Sequence, residues 1–241
     1  MRYFLLLLPL VYLGCQTKQE VPTSNEILTE SINTHDPNGK WATANFGVYI
    51  QEPRIGNAKR YSEVKLNNSE DSFKLKRNRD ENVSTHVVDK QGVSITYLND
   101  KIETDSIVIK KYRLNPDRNK GYQRFYKVLL GLPMSLNNNQ IKVDNKVEES
   151  IFNKEKAYKL SFVFDEPLFS KHWNVFFSKE TKEIIGLEMI FPEDPTKGER
   201  LIFEEQFIIN DSIVIPRIRH WKELNGKYSG SDIIIEKLEP Q

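Results

Sequence analysis

The sequence predicts a mainly β (α+β) protein built on one large, curved antiparallel sheet of about eleven strands packed on two helices. Two observations carry that prediction. From Trp41 onward apolar and polar residues alternate with a period of two, in short stretches separated by turn residues. Only two segments, over residues 25–34 and 122–129, show the three- and four-residue spacing of a helix. The turns are far too short for crossover helices, so neighbouring strands are antiparallel.

The first element is not part of that sheet. Arg2 precedes an apolar run from Tyr3 to Leu13, followed by Gly14 and Cys15, the single cysteine of the 241 residues. Eleven apolar residues are too few to cross a hydrocarbon core of about 30 Å, but they suit the h-region of a signal peptide. A small residue directly before a cysteine at the end of such a run resembles the lipobox of bacterial lipoproteins. That resemblance implies cleavage before Cys15 and acylation of its thiol and amine. The alternative is an ordinary secretory signal in which the cysteine is incidental. Residues 16–23 are polar and contain Pro22, a short tether. The expected organisation is a signal peptide over 1–14, a tether over 15–24 behind the lipidated cysteine, and one domain over 25–241.

Thr23-Ser24-Asn25-Glu26 fits a capping box, and Ile27, Leu28 and Ile32 continue the helix toward Pro37 and Gly39. Strands are expected near residues 42–50, 61–66, 73–76, 84–88, 93–98 and 106–112, with turns such as Gln91-Gly92 and Asn99-Asp100 between them. Tyr122, Phe125, Tyr126 and Leu129 then form one face of a helix that Gly131 and Pro133 end. Further strands are expected at 159–164, 173–178, 183–191, 200–209, 213–221 and 227–238, with Asn210-Asp211 and Asn225-Gly226 as hairpin turns. Leu160, Phe162 and Phe164 share a face, as do Trp173, Val175 and Phe177, and Leu201, Phe203, Phe207 and Ile209. That face is wider than two short helices can cover, so part of it is expected to line a cavity.

Composition and motifs exclude more chemistry than they supply. With 35 Lys+Arg against 34 Asp+Glu, the formal charge of +1 gives no general drive toward nucleic acid or an anionic surface. No two of His35, His86, His172 and His220 stand at metal-ligand spacing, and no cofactor or metal site is expected. There is no nucleophile elbow, P-loop or dinucleotide fingerprint. The basic run Lys74–Arg79 is followed by Asp80-Glu81 and is expected to be a solvated loop. His35-Asp36-Pro37-Asn38-Gly39-Lys40-Trp41 reads as a helix-ending turn that anchors the first strand.

That segment, with Leu129-Leu130-Gly131-Leu132-Pro133-Met134-Ser135-Leu136 and Ile215-Pro216, resembles an uncharacterised envelope lipoprotein family of flavobacteria and their relatives. The family is similar in layout to the LolA/LolB-type lipoprotein carriers. The similarity implies an unclosed half-barrel around helices, with an apolar concavity able to hold acyl chains, and transfers no catalytic residue. The expected function is that of a non-enzymatic envelope lipoprotein, held to the membrane, by analogy the outer one, through Cys15 and binding a lipid or other hydrophobic ligand. Phe125, Leu129, Phe162, Phe164, Trp173, Phe177, Phe203 and Phe207 are its expected cavity lining. The competing expectations are an accessory envelope protein acting through protein contacts and, third, a carboxylate-based hydrolase.

Overall fold

A computed structural model describes residues 21–57, 59–79, 81–194 and 196–240. The expected signal peptide and Cys15 lie outside the described residues. Helix α1 (Ser24–His35) opens on the expected capping box: the Thr23 N–H donates to Glu26 Oε2 at 2.7 Å, and the Glu26 N–H donates to Thr23 Oγ1 at 3.3 Å. Five strands follow, β1 (Asn45–Gln51), β2 (Tyr61–Asn67), β3 (Ser72–Arg79), β4 (Asn82–Val88) and β5 (Ser94–Leu98). Helices α2 (Ser106–Tyr112) and α3 (Asn119–Leu130) come next. Seven strands complete the described residues: β6 (Ile141–Phe152), β7 (Glu155–Leu168), β8 (Ser170–Ser178), β9 (Ile184–Ile190), β10 (Gly198–Ile209), β11 (Ile213–Glu223) and β12 (Tyr228–Leu238).

All twelve form one antiparallel sheet in the order β5-β4-β3-β2-β1-β12-β11-β10-β9-β8-β7-β6. Consecutive strands pair with each other except β5 and β6, and at the centre β1 meets β12 in the register Val48↔Lys237 and Gln51↔Ile233. The edge strands β5 and β6 do not pair, so the sheet stays open. The chain between those edges carries α2 and α3 from one side of the sheet to the other.

Residues 106–112 form helix α2, not a strand. The β-branched Ile107-Val108-Ile109 run favours a strand, but the Asp105 carboxylate caps the Ile107 N–H at 2.8 Å and Arg113 ends the turn at φ +58°. Val108, Ile109 and Tyr112 then face inward at helical spacing. Strand β6 was not foreseen, because its central Asp144-Asn145-Lys146 and Glu148-Glu149 hide the alternation. It is an edge strand with a register shift between Val143 and Val147, where charge protects an open edge.

The concave face carries two packed clusters. Ile27 and Leu28 of α1 and Leu129 of α3 pack on Phe162, Phe164, Trp173, Phe177 and Leu187. Tyr126 and Leu130 of α3 pack on Phe46, Val48, Val64, Phe73 and Leu75 under the other half. Helix α3 is therefore the wedge between two half-sheets.

The two sequence signatures are parts of this packing. Asp36 accepts from the Lys40 N–H at 2.9 Å and the Trp41 N–H at 2.8 Å, closing the turn after α1. The Trp41 ring lies against Gly131, where a Cβ would stand 2.2 Å from an indole carbon. Glycine at that position follows from this close approach.

Buried His35 donates from Nδ1 to the Val214 carbonyl at 2.7 Å and accepts at Nε2 from the Ile184 N–H at 3.2 Å, tying α1 to β11 and β9. Burial holds its pKa below the usual imidazole value. His86, beside Asn119 Oδ1 at 2.9 Å, is pushed down to about 4 by burial, against the help of that hydrogen bond and reinforced by the charges of Arg77, Arg79 and Arg118. Both rings are thus neutral when folded, while the unfolded chain takes up protons from its ordinary value of 6.5. Their contribution is complete above that value and is lost as pH falls below it; for His86 the loss runs on to about 4 and amounts to about 3 kcal/mol. Urea unfolding at about pH 7.5 and pH 5 is expected to show this loss, and His86→Asn is expected to flatten it. Equal slopes for the two proteins would contradict the account.

Candidate functional site

The helices do not fill the whole concavity. Between the first turns of α3 and strands β3, β10, β11 and β12 lies a cavity of about 660 Å³, within the usual range for small-ligand sites. Tyr122 and Phe125 of α3, Leu168 and Phe169 at the β7–β8 turn, and Trp221 of β11 form its apolar wall. The opposite wall is charged, with Glu52, Arg54, Arg60, Arg77 and Asp232 on the strand side and Arg113, Arg118 and Glu199 nearer the rim.

Period-two geometry puts these charges there. Phe73, Leu75 and Arg77 lie on one face of β3, so the strand that buries Phe73 and Leu75 also buries Arg77. The basic run is therefore a strand and not the solvated loop expected of it. Arg77 donates from Nε to Ser62 Oγ at 2.9 Å, from Nη2 to Glu52 Oε1 at 3.2 Å, and also to the Tyr126 hydroxyl. The Tyr126 hydroxyl donates to the same Glu52 oxygen at 3.1 Å, and Arg60 Nε holds Glu52 Oε2 at 2.7 Å. Burial alone would raise the Glu52 pKa, but the charges of Arg77, Arg60 and Arg54 outweigh it and keep the carboxyl below its usual range. Burial pushes the Tyr126 hydroxyl up, so it stays a neutral donor.

A second cluster adjoins the first. Arg54 holds Asp232 Oδ1 and the Ser231 carbonyl, each at 2.5 Å, while Trp221 Nε1 donates to Asp232 Oδ2 at 2.7 Å. Burial, then the negative Glu52, push Asp232 upward against those partners. Arg219 faces Asp232 across the β11–β12 ladder and is 1% exposed, yet none of its three guanidinium nitrogens has a hydrogen-bond partner. Burial lowers its pKa to about 10, so it stays charged at neutral pH.

Phe169 stands at the mouth. It is 60% exposed and has φ +63°, a left-handed conformation that is strained for a bulky residue. Its ring meets Phe125 edge-on at 5.2 Å and Trp221 at 6.3 Å.

Of the residues expected to line a cavity, Phe125 stands on this wall. Leu129, Phe162, Trp173, Phe177 and Phe203 lie in the packed cluster beneath α1 and α3, and half-buried Phe207 packs against the other cluster. Phe164 belongs to the first cluster and also borders a separate cavity of about 480 Å³ on the far side of α3. Sequence reasoning missed Glu52, Arg77, Arg219, Asp232, Tyr122, Phe169 and Trp221. The signal for Arg77 and Arg219 was present: each falls in phase with buried residues of its strand. Among the described residues, no group of three or more His, Cys, Asp or Glu is placed to hold a metal ion, and no helix is long and apolar enough to cross a membrane.

An open antiparallel sheet wrapped around helices, with a cavity left on its concave side, is a LolA-like fold. The chain is similar to a candidate outer membrane lipoprotein-sorting protein domain from Vibrio parahaemolyticus, with a TM-score of 0.52 and 10% identity over 88% of this chain and 90% of that one. It is likewise similar to a LolA superfamily protein from Nitrosomonas europaea, with a TM-score of 0.50 and 10% identity over 92% and 96% of the two chains. No curated protein matches the sequence. The chain belongs to the family of unknown function DUF6503, whose model matches residues 1–229.

Proposed function

We propose that this protein is a lipid-anchored component of the cell envelope that takes a lipid or other hydrophobic ligand into the cavity beside α3 and catalyses no reaction. The observation that carries the reading is the cavity of about 660 Å³ with an apolar wall of Phe125, Leu168, Phe169 and Trp221. Two supports stand beside it: the fold is shared with a protein whose name assigns it to lipoprotein sorting, and Gly14-Cys15 ends an apolar leader. The expected anchor is Cys15, and the expected membrane is the outer one.

The test is binding of a fluorescent fatty acid, together with native mass spectrometry of the protein before and after lipid extraction. Phe169→Gly is the diagnostic variant. Glycine relieves the left-handed backbone, so the fold is expected to be at least as stable, while the loss of ring contact weakens binding about tenfold. A protein that is always empty and binds no probe would refute the reading and favour an accessory role through protein contacts.

A further inference from the structure

Next to the main cavity is a smaller one of about 180 Å³, and the two share Arg60 and Arg77 as a common wall. Arg79 and Lys111 also line the small cavity, and among the described residues no carboxylate does. Glu52, the nearest counter-charge named above, is already engaged at both oxygens by Arg60, Arg77 and Tyr126. Arg79 buries its Nε without a hydrogen-bond partner. Burial, together with neighbouring Arg77, Arg113 and Arg60, makes its charge costly. Among the described residues, half-buried Arg79 forms no ion pair, and neither do Arg113 and Arg118, which are exposed at the rim. Cations gathered beyond the capacity of the local carboxylates leave a place for an anion.

We infer that the junction of the two cavities is a phosphoryl-binding site, so that the ligand of the proposed function is an amphiphile with a phosphorylated head. This rests on the hydrophobic-ligand reading and names its class. The head would sit against Arg60, Arg77 and Arg79, with Arg113 beside them on the main-cavity side, and its chains would run along Phe125 and Phe169. A single carboxylate would offer one charge and two oxygens to this group. A phosphoryl group offers up to two charges and three oxygens, which suits the fork geometry of several guanidinium groups. The smaller cavity, at about 180 Å³ and lined by polar and charged side chains, has room for such a group.

The experiment compares four probes on the mature chain by isothermal calorimetry: dihexanoyl phosphatidic acid, dihexanoylglycerol, hexanoate and inorganic phosphate. The phosphatidic acid is expected to bind at least about tenfold tighter than dihexanoylglycerol, with affinity that falls as salt rises. Arg79→Gln and Arg113→Asn are expected to remove most of that preference and leave dihexanoylglycerol binding in place. Asparagine is chosen because position 113 has positive φ. Equal binding of the phosphatidic acid and dihexanoylglycerol would overturn the phosphoryl site and leave the hydrophobic-ligand reading standing. Binding of inorganic phosphate with no amphiphile would support the site as one for free phosphate and refute the hydrophobic ligand. Loss of affinity in the variants for dihexanoylglycerol as well would assign those arginines to structure and overturn the inference.

Discussion

Replacing Glu52 by alanine is expected to destabilise the protein by about 3–5 kcal/mol, lowering Tm by roughly 10 °C. Glu52 is 3% exposed and Arg77 is 7% exposed, so their pairing is dry. Removing the carboxylate strands the Arg77 guanidinium, frees Arg60 from its ion pair and takes the acceptor from the Tyr126 hydroxyl. The size of the loss comes from the charge left behind and not from the strength of the pair itself. The double variant Glu52→Met with Arg77→Met removes both charges and is expected to recover most of the stability. Urea unfolding of the three proteins measures both effects. A Glu52→Ala cost under about 1 kcal/mol would mean that water reaches the network.

Cys15→Ser is expected to move the protein from the membrane fraction to the soluble one. At about 0.8 kcal/mol per buried CH₂, two long acyl chains on the proposed anchor would contribute on the order of 20 kcal/mol of membrane attachment. With a formal charge of only +1, the chain has no large surplus of positive charge to replace them. Fractionation of cells expressing each form decides the matter, and retention of the serine variant in the membrane would sink the anchor. The released variant is expected to keep its ligand affinity, because the cavity is built from residues 52–232.

Much of the fold was legible in the sequence because the sheet is antiparallel and half-buried. Its strands alternate, and Phe162, Phe164, Trp173 and Phe177 declare the inner face by their period. The α1 cap was legible because Thr23 and Glu26 satisfy each other locally, whatever the rest of the chain does. Strand β6 was hidden for the opposite reason. As an edge it carries charge on positions that would be apolar in a central strand. Helix α2 was misread because its apolar residues are β-branched, while Asp105 decides the outcome at one end.

The site was less legible than the fold. Aromatic residues on the inner face mark the core and a cavity wall alike, and which they form depends on where α1 and α3 stop filling the sheet. Hence Phe125 borders the cavity while Phe162 and Trp173 are sealed under α1 and α3. The charged wall was written in phase with buried residues, as Arg77 follows Phe73 and Leu75, and Arg219 precedes Trp221. A basic residue in that phase is the signal that a sheet face has a polar purpose.

The seam between β1 and β12 also bears on how the molecule is made. Gln51 lies beside Ile233, so strands from opposite ends of the chain meet at the middle of the sheet. A growing chain can zip β1–β5 and β6–β11 as two local meanders, because each strand meets its sequence neighbour. Each meander nevertheless ends in an unpaired strand, β1 or β11, until β12 arrives to fill the gap between them. The completed sheet is thus a late, long-range closure. Losing β12 would divide it at the centre, where losing β5 would only trim a margin.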